Sequence, residues 1–304
     1  MDQNRLNELE QVEEPLLRQL AGLGWRVLRG DKYDPATTLR ESFSDVIIES
    51  ELLTALRQIN PWMEEEQITA MMHRIQTPQA NGLLKANEEI LDLLLEGWPA
   101  DINHQTREKS PNVRFLDFSY SANNRFLAVS QFKLNVPGTE KHIIPDIVLF
   151  VNGLPLVVIE CKSPTIADPM GEAVEQLKRY ANRRGIVEGN DKLFWYNQLQ
   201  IATYRQKCCY STITGELEHY IEWKDPYPCK LSDINTEGGE SVNSQQVLVQ
   251  GMLSPGNLLD IIHSFTVFAN DDKGRIIKLV PRYQQYRTAR KIITRLKEKS
   301  TPAE

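Results

Sequence analysis

No stretch of this 304-residue chain approaches the roughly 18–20 consecutive apolar residues of a membrane span, and its start, Met-Asp-Gln-Asn, is polar rather than signal-like. The chain is therefore read as cytoplasmic. Cysteine is scarce: Cys161, Cys208, Cys209 and Cys229 show no C-x-x-C spacing, and adjacent Cys208 and Cys209 face opposite sides of any strand. Reduced, structural thiols are expected. The five histidines are scattered without H-E-x-x-H, which removes the usual zinc pattern. A phosphate-cradling G-x-x-x-x-G-K-[ST] loop is missing, as are internal repeats and low-complexity tracts. Positive charge is also short, with a formal net of −6, but unevenly so. Residues 272–304 hold ten Lys/Arg against three acids, a net of +7, so the body before them carries −13. A uniformly basic nucleic-acid surface is excluded; local basic patches are not.

What is present is an ordinary globular composition, 41% hydrophobic and 25% charged, and enough chain for one large or two smaller domains. Residues 1–110 read as mainly helical. Leu6, Leu9, Val12, Leu16, Leu17 and Leu20 form an apolar stripe that predicts a helix over Leu6–Leu23, with Glu13 beside the stripe near the core boundary. Further helices are expected at Ser50–Ile59, Glu64–Thr77 and Asn87–Glu96. Near Ser110 the pattern turns to strands, at Val113–Asp117 and Arg125–Lys133. A helix from the Asp168-Pro169 cap to about Asn182 follows, then a strand pair at Leu199–Tyr204 and Cys208–Thr214. Asp233–Ser244 reads as a loop, Pro255–Phe268 as a helix and Arg282–Lys299 as a basic helix. This order implies an α/β fold with helices flanking a mixed central sheet.

The most informative stretch runs from Ile143 to Lys162. Asp146 interrupts an apolar β-branched run, Asn152-Gly153 is a strong hairpin signal, and Glu160 and Lys162 end a second apolar run on one face, with Cys161 on the other. Burying two carboxylates and an ammonium costs several kcal/mol unless they pair or bind something. A hairpin would return the chain so that Asp146 and Glu160 lie on neighbouring strands, facing the same way. A hard cation such as Mg²⁺ resolves the conflict, with Asp146, Glu160 and the Cys161 carbonyl as ligands. Lys162 beside it would orient or deprotonate an attacking water and offset developing charge. On residues alone, Glu13 fits a solvated helix face with Glu10 and Glu14, and Gln176 and Tyr180 fit surface and core-edge positions.

Pro145-Asp146…Glu160-Cys161-Lys162 resembles the PD-(D/E)xK (restriction-endonuclease-like) nuclease superfamily. Gln176-Leu-Lys-Arg-Tyr180 matches the Q-x-x-x-Y element of a RecB-like subset, and Glu13 matches the acidic residue on that subset's first helix. Tyr196–Thr203, Glu222-Trp223, Phe265–Phe268 and Pro281–Gln284 are similar, in order, to the N-terminal region of type I restriction enzyme R (motor and endonuclease) subunits. One departure is Lys207-Cys208-Cys209, where glycine is expected near the second strand pair. The resemblance implies a Mg²⁺-dependent endonuclease core over 111–265. Residues 1–110 would lend it their first helix, and 266–304 would lead into a helicase-like motor absent from this chain. It also implies ATP use only through that motor, double-stranded DNA as substrate, and methyltransferase (M) and specificity (S) subunits as partners. Asp146, Glu160 and Lys162 would be catalytic, with Glu13, Gln176 and Tyr180 in support. The competing expectations are a catalytically inactive nuclease-fold module for DNA binding or subunit docking, and a stand-alone resolvase or repair nuclease.

Overall fold

A computed structural model describes residues 3–234, 236 and 241–300. Seven strands form one mixed sheet in chain order: β1 (Arg26–Arg29), β2 (Phe126–Ser130), β3 (Ile147–Val151), β4 (Leu154–Cys161), β5 (Leu199–Thr203), β6 (Cys208–Ser211) and β7 (Ile221–Glu222). β1 lies parallel to β2 and β4 parallel to β5, and the remaining neighbours are antiparallel. Every residue of β3, β4 and β5 is buried. That explains the apolar runs of β3 and β4, since a strand covered on both faces has no solvent side to alternate toward. Each such side chain contributes about 1.5–3 kcal/mol by leaving water.

The β3–β4 turn is the expected Asn152-Gly153 pair, with φ of 53° and 76°, the doubly left-handed geometry of a tight hairpin. Gly153 has a second reason to be glycine: a Cβ there would come within 2.3 Å of the Ile48 carbonyl oxygen. Asn152 is fully buried, donating to the Phe115 carbonyl and accepting from the Arg125 amide. Between β5 and β6, where glycine was expected, Arg205 takes φ 78° and the Tyr204 amide bonds the Lys207 carbonyl, so the turn closes without one.

Helices cover the sheet. The first helical stretch comprises α1 (Gln3–Glu8), a π-helical turn (Leu9–Glu13) and α2 (Glu14–Gly22). α3 (Glu49–Ile59), α4 (Glu65–Gln76) and α5 (Leu83–Glu96) match expectation within a turn. α6 (Pro169–Tyr180) starts as predicted, with Asp168 accepting from the Gly171 amide, and packs on β4 and β5. α7 (Asp191–Trp195), α8 (Ser244–Met252), α9 (Pro255–Phe265) and α10 (Tyr283–Ser300) complete the set.

Several expectations are corrected. β1 was not foreseen: it is four residues long and exposes Arg26 and Arg29, as a charged edge strand does. Val113–Asp117 is not a strand of the sheet. Only Asn112–Val113 pairs, with Trp98–Pro99, while the Arg114 amide and carbonyl are satisfied by the Asn60 side chain. The helix expected to Phe268 ends at Phe265, and Val267–Asn270 pairs with Ile276–Leu279 in a hairpin. The loop expected at Asp233–Ser244 falls partly on residues 235 and 237–240, outside those described. Residues 266–298 are less free than their charge suggests. Lys278 is buried, Arg287 pairs with Asp225 at 2.6 Å, and Arg290 pairs with Asp260. Cys161, Cys208 and Cys209 are buried free thiols, as expected. Among the described residues no helix is long and apolar enough to cross a membrane.

Candidate active site

Asp146 immediately precedes β3, and Glu160 is the penultimate residue of β4. Ile147 pairs with Ile159, and one more step of that register sets Asp146 across from Glu160. The two are 3% and 0% exposed. Asp146 Oδ2 accepts the Cys161 amide at 2.8 Å, and Lys162 Nζ donates to Glu160 Oε1 at 2.6 Å. Lys162 therefore pairs with Glu160, while Asp146 Oδ1 lies 3.2 Å from Arg5 Nη1.

Glu13 reaches this place through the π turn. In a regular helix it would sit beside Glu10 and Glu14; the wider Leu9–Glu13 turn rotates it onto the side of Glu8, five residues earlier. Glu13 is fully buried and Glu8 nearly so, whereas Leu6 and Leu9 of the expected stripe are only half-buried. Gln131 Nε2 donates to Glu13 Oε2 at 2.8 Å, and Arg5 Nη1 lies 3.0 Å from Glu13 Oε1. Arg5 also pairs with Glu8. Carboxylate oxygens of Glu8, Glu13 and Asp146 lie within 4.8 Å of one another.

Gln176 and Tyr180 lie one turn apart on α6 and hydrogen-bond to each other. The Tyr180 hydroxyl donates to the Ile144 carbonyl at 3.0 Å, bracing the chain two residues before Asp146. They act on the segment that carries Asp146 and make no direct bond to its carboxylate.

Sequence reasoning missed Arg5, Glu8 and Gln131. No residue pattern announces a π turn, so Glu8 and Arg5 carried no signal. Gln131 did: it continues the face of Leu127 and Val129, both buried, where a polar side chain is out of place.

The electrostatics are those of excess negative charge. Burial, then Asp146, raises Glu13 to about 7, against the opposing pull of Arg5. Burial, then Asp146, pushes Glu160 well above the carboxylate range despite Lys162. For Lys162 burial works downward, but Glu160 and Asp146 outweigh it and hold the amine above its ordinary value. Burial, then Glu160 and Asp146, likewise raises the Tyr180 hydroxyl. Four carboxylates face two cations, so full ionisation leaves the site two positive charges short. Among the described residues Glu160 Oε2 has no hydrogen-bond donor, and the Glu160 carboxyl lies against Asp146. An all-oxygen set lacking two positive charges, with an orphaned carboxylate oxygen, fits a hard divalent cation.

An α/β protein with a mixed sheet and a buried acid–lysine centre at one end of a central hairpin is the class so defined. The chain belongs to the family described as type I restriction enzyme R protein N terminus, whose model matches residues 5–218. It is 28% identical over 284 residues to the type I restriction enzyme HindI endonuclease subunit of Haemophilus influenzae, covering 92% of this chain and 26% of that protein. It is 23% identical over 305 residues to a Methanocaldococcus jannaschii protein provisionally named as the type I restriction enzyme MjaIXP endonuclease subunit, covering 96% of this chain and 28% of that one. The chain thus spans about a quarter of the length of these relatives.

Proposed function

We propose that this chain is the Mg²⁺-dependent endonuclease region of a type I restriction R subunit, built on a PD-(D/E)xK core. In this reading it hydrolyses phosphodiester bonds of double-stranded DNA after ATP-driven translocation by motor domains outside this chain, in a complex with M and S subunits. Residues 111–265 form most of the core, 1–110 lend it the first helix and the edge strand β1, and 266–304 lead toward the motor.

The observation that carries the reading is the placement of Asp146, just before β3, against the end of β4 that carries Glu160, through the Cys161 amide, with Lys162 bonded to Glu160. Asp146, Glu160 and the Cys161 carbonyl would hold the ion. When bound, Mg²⁺ supplies a Lewis acid and an acidified water. Lys162, bonded to Glu160, would contribute positive charge and hydrogen-bond donors where a scissile phosphate gains charge, and would orient or deprotonate the attacking water. Glu13 adds negative charge behind Asp146, and Gln131 holds it there. Gln176 and Tyr180 fix the backbone that delivers Asp146.

The test is substitution in the assembled restriction complex. Asp146→Ala, Glu160→Ala and Lys162→Ala should each abolish DNA cleavage while ATP hydrolysis and translocation continue. Cutting that survives any of the three, or translocation lost with cutting intact, would refute the assignment. An inactive docking module is set apart by calorimetry, because it predicts no carboxylate-dependent binding of Mg²⁺ or Mn²⁺.

A further inference from the structure

The resemblance gave no role to Arg5 or Glu8, yet both sit in the acidic centre. Arg5 is a surface side chain, 36% exposed, whose guanidinium reaches inward to Glu8, Glu13 and Asp146. It occupies the place where three carboxylate oxygens converge within 4.8 Å. Ligands about 2.1 Å from a common magnesium lie at most about 4.2 Å apart, and at calcium distances about 5 Å, so this spacing suits one divalent ion after slight contraction.

A separate observation points the same way. Glu160 Oε2, in a side chain with no exposure, finds no hydrogen-bond donor among the described residues and faces Asp146, so the two carboxylates stay charged together only if a further cation is supplied.

We propose that Arg5 is a resident counter-cation, and that Glu8, Glu13 and Asp146 form a divalent-cation position that Arg5 fills until a metal ion displaces it. The proposal rests on the nuclease reading and adds to it a residue that competes with the metal and a ligand, Glu8, that the acid–acid–lysine pattern does not include. Arg5 suits the role. It lies on a six-residue helix, and the contacts holding its guanidinium in the site are ionic ones to the same oxygens an incoming ion would take. Glu8 suits it because the π turn brings it onto the side of Glu13.

Calorimetric titration of the 304-residue chain with Mn²⁺, and separately Mg²⁺, tests this against Arg5→Gln, Glu8→Gln and the remote control Arg57→Gln. If Arg5 fills the position about 90% of the time, its removal tightens apparent metal affinity about tenfold. Mg²⁺ should also raise the melting temperature more in Arg5→Gln than in the parent, because the competitor is gone. Glu8→Gln should weaken binding severalfold, and Arg57→Gln should leave it unchanged. Unchanged or weaker binding in Arg5→Gln, or unchanged binding in Glu8→Gln, overturns the proposal. If Glu8→Gln does not fold, the Arg5→Gln arm decides alone. Binding that is lost in Asp146→Asn and Glu160→Gln but indifferent to Arg5 and Glu8 leaves the nuclease reading standing without this addition. No metal binding in any form, the parent included, removes both.

Discussion

Gln131 Nε2 donates to Glu13 Oε2 across 2.8 Å, tying the turn after β2 to the π turn of the first helix. The same side chain passes 3.5 Å from Asp146 Oδ1, and the Gln131 amide bonds the Asp146 carbonyl at 2.7 Å. One residue thus spaces two carboxylates that would otherwise repel without a fixed geometry. It does so from φ 53°, a left-handed conformation that costs a non-glycine residue roughly 1–2 kcal/mol.

Two substitutions at Gln131 separate the bond from the strain. Gln131→Ala loses the side-chain bond, keeps the strained backbone and leaves a buried acceptor short, which should cost about 1–3 kcal/mol. Gln131→Gly loses the same bond but relieves the backbone, and should be about 1 kcal/mol more stable than the alanine variant. Urea denaturation of both measures the difference; equal stabilities would mean that the left-handed turn is unstrained.

Lys162 is the nearest compensation for the innermost carboxylate. Lys162→Met keeps most of the volume but leaves Glu160 buried without its cation. Breaking a buried pair from one side costs about 3–5 kcal/mol when the remaining charge cannot be neutralised. Glu160 is pushed above its ordinary value by burial and then by Asp146, so it can take up a proton, and the loss should be smallest at acid pH and grow as pH rises. Melting temperatures of parent and variant between pH 5 and 8 check it. A penalty independent of pH would mean that Glu160 keeps one protonation state across the range.

The hairpin and the placement of its charged residues were legible because several signals coincide within twenty residues. Asp146 breaks an apolar run, Asn152-Gly153 makes the turn, and the period of two puts Glu160 and Lys162 on one face; the structure has all three features. The Asp168-Pro169 cap and α6 were legible for similar local reasons. What could not be read depends on partners distant in sequence. β1 is a strand because β2 lies beside it, and Arg114 is not one because Asn60 satisfies its backbone. The π turn was invisible for a further reason. Helical stripes assume 3.6 residues per turn, and one wider turn moves Glu8 and Glu13 inside while leaving Leu6 and Leu9 half-exposed.

Stability of the metal-free chain should depend on pH through Glu13. Its ordinary value of 4.5 rises to about 7 on folding, first through burial and then through Asp146. Between those values the folded state holds a proton that the unfolded state has released. Stability is therefore greatest below about pH 4.5 as far as this group is concerned, and falls as pH climbs toward 7, by on the order of 2–3 kcal/mol. Glu160 is shifted in the same direction and adds to the trend. Glu13→Gln should flatten part of the decline, seen as a smaller drop in urea midpoint between pH 5 and 8. A decline of equal size in the variant would assign it elsewhere.

Lys278 sets the last expectation, away from the carboxylates. Its amine is fully enclosed and donates to Asn87 Oδ1 at 2.7 Å, the Asn197 carbonyl at 3.0 Å and Gln198 Oε1 at 2.6 Å. No acid stands among these partners, and burial alone pulls the amine well below its ordinary value. The three acceptors come from α5 and the segment leading into β5, so this one side chain joins the 267–279 hairpin to the central sheet. Lys278→Met removes the donor and strands two buried acceptors, Asn87 Oδ1 and Gln198 Oε1, at roughly 1–3 kcal/mol for each that water cannot reach, while the Asn197 carbonyl keeps the Asn87 amide. Global stability should fall by a few kcal/mol, and amide exchange should accelerate across 267–279 more than in β3 and β4. Exchange that rises uniformly across the sheet would mean that the hairpin and the core unfold as one unit, with Lys278 a member of that unit rather than a tether between two.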